Sequence, residues 1–215
     1  MNPDRLAKDA PMMHRLCSGL VFLTALAPLP ALAQTISEVP AEGLFRIVTV
    51  AETTVQQLPP GPLYWRVETF PTLTGAKEGA GATSLAATVS GKNWLFTLGP
   101  KGGKSVGGKL ITEIGPVPEV EARQYLLRIN HAGGPPGAKT PVHSHPGSEA
   151  FYVMSGKLCQ KTSHGTNQLE AGRSMNGHEP GMVMQLTSCG TAELDQLVMF
   201  VVDATKPFSP PASFD

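Results

Sequence analysis

The chain has 215 residues, with 17 Lys and Arg balanced by 17 Asp and Glu and a charged fraction of 16%. That length supports one domain with a self-sufficient core. The neutral balance supplies no basic stripe for a phosphate backbone and no lysine cluster for anionic lipid, which argues against nucleic-acid and charged-membrane partners.

The first 33 residues read apart from the rest. A short positive region, His14-Arg15, precedes an apolar stretch from Leu16 to Leu29 and then Ala31-Leu32-Ala33. This is the three-part pattern of a secretory signal peptide, cleaved after Ala33. Pro28 and Pro30 interrupt the stretch, which falls short of the ~20 residues that span a bilayer. A periplasmic or secreted chain with no stable membrane span is therefore expected. Cleavage removes Cys17 and leaves Cys159 and Cys189 as an even pair in an oxidising compartment. A disulfide between them and two separate thiols both fit the sequence.

Beyond the signal, short runs of β-branched and aromatic residues recur between the glycines and prolines. Strands are expected from Phe45 to Val50, Tyr64 to Phe70, Ser84 to Val89, Trp94 to Leu98 and Lys109 to Ile114. They continue from Tyr125 to Ile129, Ala150 to Met154, Lys157 to Lys161, Val183 to Thr187 and Leu194 to Val202. A turn or two of helix is the expectation for Val120 to Tyr125. Ser90-Gly91 and Ser155-Gly156 read as hairpin turns, with Gly156 supplying a positive φ. The proline-rich tail from Lys206 ends the last strand. Such a pattern predicts an all-β sandwich or barrel.

The stretch Gly99 to Gly108 is expected to be a flexible surface loop. Its Gly-Gly-Lys-Ser run is not a phosphate-binding loop, because Leu98 stands where the first glycine is required and no helix pattern follows. Residues 34–124 are read as a β extension of the barrel, with a degenerate second barrel as the alternative. Residues 125–215 carry the chemistry.

That chemistry centres on His143-Ser144-His145 and Glu149. On a strand, residues i and i+2 share a face, so both imidazoles can aim at one point. Pro146-Gly147 then breaks the strand and can bring the Glu149 carboxylate to the same place from the neighbouring strand. Two imidazoles and a carboxylate leave open coordination positions, a set suited to Fe(II), Mn(II), Ni(II) or Zn(II).

The spacing of Gly137, His143, His145, Glu149 and Gly156 resembles the first motif of the cupin superfamily. The resemblance covers the region from about Tyr125 to Val202. It implies a double-stranded β-helix (jelly-roll) barrel with a divalent metal ion in its mouth, a small-molecule ligand or substrate, and the frequent dimerisation of that family. The second motif departs from the pattern. Where a fourth ligand histidine is usual, alternative registers place Met184, Gln185 or Val183. Of these, Gln185 and Met184 are the candidates for a fourth ligand or a substrate-facing group.

His178 lies in the Gly-rich turn ahead of that slot, with two readings: an exposed turn residue, or a group reaching the barrel mouth. His131 and His164 are expected in solvated loops, and Tyr152 and Met154 in the core. Two functions follow. One is a metal-dependent oxygenase or isomerase of a small organic substrate; the other is a non-catalytic module that binds or senses a small molecule or the metal.

Overall fold

The computed structural model describes residues 43–214, so the signal segment and its cleavage point lie outside the described residues. Strands β1 (Arg46–Val55) and β2 (Tyr64–Phe70) precede a short helix, α1 (Leu73–Glu78). Then come β3 (Ser84–Val89), β4 (Lys92–Gly99), β5 (Lys109–Ile114) and β6 (Tyr125–Gly134). The remainder is β7 (Gly147–Ser155), β8 (Lys157–Thr162), β9 (Gly165–Glu170), β10 (Ser174–Asn176), β11 (Met184–Ser188) and β12 (Leu194–Asp203).

These strands form three antiparallel sheets, in the orders β3-β4-β2-β5, β1-β6-β12-β7-β10 and β11-β8-β9. The five-stranded sheet is the middle layer. One face packs Leu127, Ile129 and Met199 against Trp65, Trp94 and Phe96 of the four-stranded sheet. Its other face packs Phe151, Val198 and Phe200 against Leu158 and Leu186 of the three-stranded sheet. The five- and three-stranded sheets together make the jelly-roll barrel, and the all-β expectation holds. β1 pairs with β6 along its length, so the barrel's own sheet draws one strand from residues 34–124.

Burial on both faces explains the composition of β12, whose Leu197 to Val202 run is apolar without alternation. A strand covered on both sides has no solvent face for polar residues. Trp65 and Trp94 are fully buried in the outer core; each contributes about 4–6 kcal/mol of gross burial energy.

The hairpin turns follow their sequence signals. Ser90 and Gly91 both take positive φ, 48° and 71°, as a two-residue primed turn requires. Gly156 has φ 74°, and a Cβ there would lie 2.5 Å from the Glu193 carbonyl oxygen.

Other expectations are corrected. Val120 to Tyr125 is not helical: Val120 is buried in the outer core, and the Gln124 carbonyl accepts from Ala204 N–H at 2.9 Å. Both contacts hold the chain extended as it enters β6. Helix α1 carries no apolar period to betray it; its signal is the Thr72 cap, whose hydroxyl accepts from Gly75 N–H at 3.1 Å. Strand β9 has only Leu169 buried and is held by its ladder to β8. The loop from Gly99 to Gly108 is pinned rather than free. Buried Glu68 accepts from the Ser105 backbone N–H at 3.0 Å and hydroxyl at 2.7 Å, and from Arg66 Nε at 3.0 Å.

Cys159 and Cys189 are joined in a disulfide with Cα atoms 5.7 Å apart, which clips the end of β11 to β8. Replacing both by serine is expected to cost about 3–4 kcal/mol, from the loop entropy of a 30-residue separation. Urea unfolding checks this, and an unchanged midpoint would refute it. Among the described residues no helix is long and apolar enough to cross a membrane.

Candidate metal centre in the barrel mouth

The histidine segment is extended but is not a regular strand, a departure from the simplest expectation. Residues from Gly137 to His143 run antiparallel to β11, with His143 N–H donating to the Met184 carbonyl at 3.0 Å and Met184 N–H returning the bond at 2.8 Å. The other edge of this segment is taken by the C-terminal tail. Ser144 N–H donates to the Pro210 carbonyl at 3.3 Å, and Ala212 N–H to the Val142 carbonyl at 3.2 Å. The tail is thus a strap across the barrel mouth rather than a mere terminus.

This scaffold orients both imidazoles. His143 Nδ1 lies 2.8 Å from the Pro141 carbonyl oxygen, and His145 Nδ1 lies 2.7 Å from that of Phe208. A carbonyl only accepts, so each Nδ1 carries the proton and each Nε2 keeps its lone pair. The rings stand edge to face, with centroids 5.0 Å apart. His145 is also wedged between Phe200 and Phe208, each 4.9 Å away.

Glu149 enters from β7 and is buried. Its Oε2 is 3.8 Å from His145 Nε2. Donor atoms on a tetrahedral ion with bonds of 2.0–2.2 Å are about 3.4 Å apart, so the pair needs only a small closure. Its Oε1 accepts from Gln160 Nε2 at 2.9 Å. Gln160, fully buried, in turn accepts on Oε1 from His178 Nε2 at 3.0 Å. Sequence reading did not single out Gln160. Its signal is weak: a polar residue on the inward parity of β8, between Leu158 and Thr162.

Met184 points inward from β11, with its sulfur 3.5 Å from Gln160 Nε2. Gln185 has the opposite parity, and its amide donates to the Thr140 carbonyl at 3.0 Å. His178 is half-buried and tied to Gln160, His131 is bonded to Asp195, and His164 is exposed. Tyr152 and Met154 pack on the outer core.

His143, His145 and Glu149 line one cavity of about 450 Å³, with walls that include Phe45, Leu186, Val198 and Phe200. A larger cleft of about 750 Å³ lies elsewhere, among the prolines from Pro59 to Pro62 and Pro116 to Pro118, and contains none of these groups. Among the described residues no group of three or more His, Cys, Asp or Glu side chains is placed to hold a metal ion. The donor types nonetheless suit a divalent ion. Two imidazoles, each held at Nδ1 by a backbone carbonyl, and a buried carboxyl group line one cavity.

Burial shifts two of these groups in opposite directions. Burial pushes the Glu149 carboxyl up to about 8, the Gln160 bond offsetting only part of it. Burial also holds His145 down to about 4, against the Phe208 carbonyl and with the charges of His143 and Arg128. The carboxyl therefore binds a proton that the unfolded chain releases above pH 4.5, and the imidazole lacks one that the unfolded chain holds below 6.5. The two effects cancel between pH 4.5 and 6.5; from 6.5 to 8 only the Glu149 effect remains and stability falls. The metal-free protein is expected to lose about 2 kcal/mol across that last window. A divalent ion displaces the proton, so metal-loaded protein should not follow this decline. Thermal unfolding with and without chelator at pH 6.5 and 8 checks both curves.

No family model and no curated protein matches the chain. Solved structures similar to it include a cupin-like protein from Thermotoga maritima (21% identity, 40% of this chain, 64% of that one, TM-score 0.36). A cupin domain from Bordetella pertussis has 23% identity over 35% of this chain and 80% of that one, with a TM-score of 0.31. A DMSP lyase from Ruegeria pomeroyi has 19% identity over 40% of this chain, with a TM-score of 0.35. The chain spans 42% of that lyase and 44% of a related lyase structure. The two facing antiparallel sheets, with the segment from Gly137 to Gly156 at the mouth between them, give the chain a jelly-roll fold similar to that of these cupin structures.

Proposed function

We propose that this protein is an exported metal-binding cupin that acts on a small organic molecule in the barrel cavity. The observation that carries the reading is that His143, His145 and Glu149 line one largely apolar cavity, with each imidazole held at Nδ1 by a backbone carbonyl. The disulfide and the signal pattern support an oxidising compartment.

When bound, a divalent ion with open positions supplies Lewis acidity or redox chemistry, as an oxygenase or isomerase needs. The chain's own residues supply the rest. Leu186, Val198 and Phe200 exclude water and hold an apolar body. Arg128, paired with Glu52 at 2.7 Å and stacked 4.1 Å over Phe208, puts a fixed positive charge on the wall. Asn130 Oδ1 accepts from the Thr49 hydroxyl at 3.1 Å, which leaves its NH₂ to donate to a ligand.

A second reading, binding without turnover, has its own support. Apart from the three metal-facing residues, the wall offers Arg128, Asn130, Thr49, Thr140 and Ser209 as polar groups. None of these exchanges a proton readily at neutral pH.

Protein purified without a His-tag is expected to carry about one divalent ion per chain by elemental analysis, lost in His143→Ala/His145→Ala. Equal metal content in the two would sink the proposal. Product formation from a small-molecule panel, abolished by chelator, selects the enzyme; ligand-induced thermal stabilisation without product selects the binding module.

A further inference from the structure

We infer that Gln160 and His178 are positioning residues that fix which oxygen of Glu149 is presented to the metal. The inference rests on the metal-site reading above. Gln160 is fully buried on β8, and each end of its amide has one job. The NH₂ end donates to Glu149 Oε1 at 2.9 Å and touches the Met184 sulfur at 3.5 Å. Its carbonyl end faces His178 Nε2 at 3.0 Å.

An amide can be rotated by half a turn, exchanging its donor and acceptor ends, and a carboxylate accepts only from the donor end. The reversed amide would set its oxygen against the Glu149 carboxylate and lose that bond inside a buried site, where an unmade bond costs free energy. It would keep the bond to His178 only if the imidazole moved its proton from Nε2 to Nδ1. The pair therefore locks the amide, the amide occupies Oε1, and Oε2 is left turned toward His145 Nε2 at 3.8 Å.

The backbone carries His178 to this place by close approach. Gly177 packs so tightly on Glu149 that a Cβ would lie 2.0 Å from the Glu149 carbonyl oxygen and 2.7 Å from its Cγ. The loop that bears His178 is thus fitted to the same residue its side chain helps to orient. This gives a role to a histidine that occupies neither the ligand slot nor the cavity wall.

Zinc affinity, measured by competition with a chromophoric chelator, tests the inference in wild type, Gln160→Leu, His178→Phe and His178→Gln. Gln160→Leu is expected to weaken zinc binding on the order of 10–100-fold. Removing the donor in His178→Phe should weaken it by about threefold to tenfold. His178→Gln, whose own NH₂ can donate to Gln160, should recover to within about twofold of wild type.

Thermal midpoints of the metal-free forms separate positioning from mere structure. The two His178 variants lie on a half-exposed loop, and their metal-free midpoints should agree within a few degrees while their affinities differ. Should Gln160→Leu not fold, the His178 pair decides. Wild type that binds zinc beside variants of unchanged affinity overturns this inference alone. Wild type that binds no zinc overturns the metal site and this inference with it.

Discussion

Glu149→Gln is expected to change stability in opposite directions with and without metal. Metal-free, the variant should be more stable than wild type at pH 8, by on the order of 2–4 kcal/mol. The wild-type carboxyl, held up to about 8 by burial, is partly ionised there with no cation beside it, whereas a glutamine of the same shape carries no charge. Its carbonyl can still accept from Gln160. Metal-loaded, the order reverses, because a neutral amide is a weak ligand for a divalent ion and the stabilisation from binding is lost. Calorimetric unfolding of both proteins at pH 8, with chelator and with excess zinc, reads the two signs. Destabilisation of the metal-free variant would mean that Glu149 is stabilised by something other than an ion.

Truncation after Lys206 should cost metal affinity on the order of 10–100-fold, although it removes no ligand. The strap provides the Phe208 carbonyl that holds His145 Nδ1–H, and the Phe208 ring that sits between His145 and the Arg128 guanidinium. Without it His145 turns freely and either nitrogen can carry the proton, so part of the population presents no lone pair to the metal. Phe208→Ala separates the parts: the carbonyl stays and the ring goes. Truncation should therefore weaken zinc binding more than Phe208→Ala does. If both bind as wild type does, the strap has no part in the site.

Local signals made much of the molecule legible. Tyr64–Phe70, Ser84–Val89 and Lys109–Ile114 match their expected limits residue for residue, because turn residues bound each apolar run. Gly156 announced its positive φ, and the spacing of His143, His145 and Glu149 announced three residues that line one cavity. Where the side chain has no local preference to express, the sequence was silent. β9 is polar and exists by pairing, α1 is a single capped turn and a half, and Val120 is drawn from a helical pattern into the core.

The sequence by itself determined the β class, the strand parity of the barrel and the residue types that can ligate a metal, since these follow from periodicity and spacing along one segment. Only the tertiary structure decided how that chemistry is set. Gln160 reaches Glu149 from another strand, His178 reaches Gln160 from a distant loop, and the tail returns to hold His145. Those contacts join residues 11, 18 and 63 positions apart. No local preference encodes a hydrogen bond between segments that meet only when two sheets close on each other.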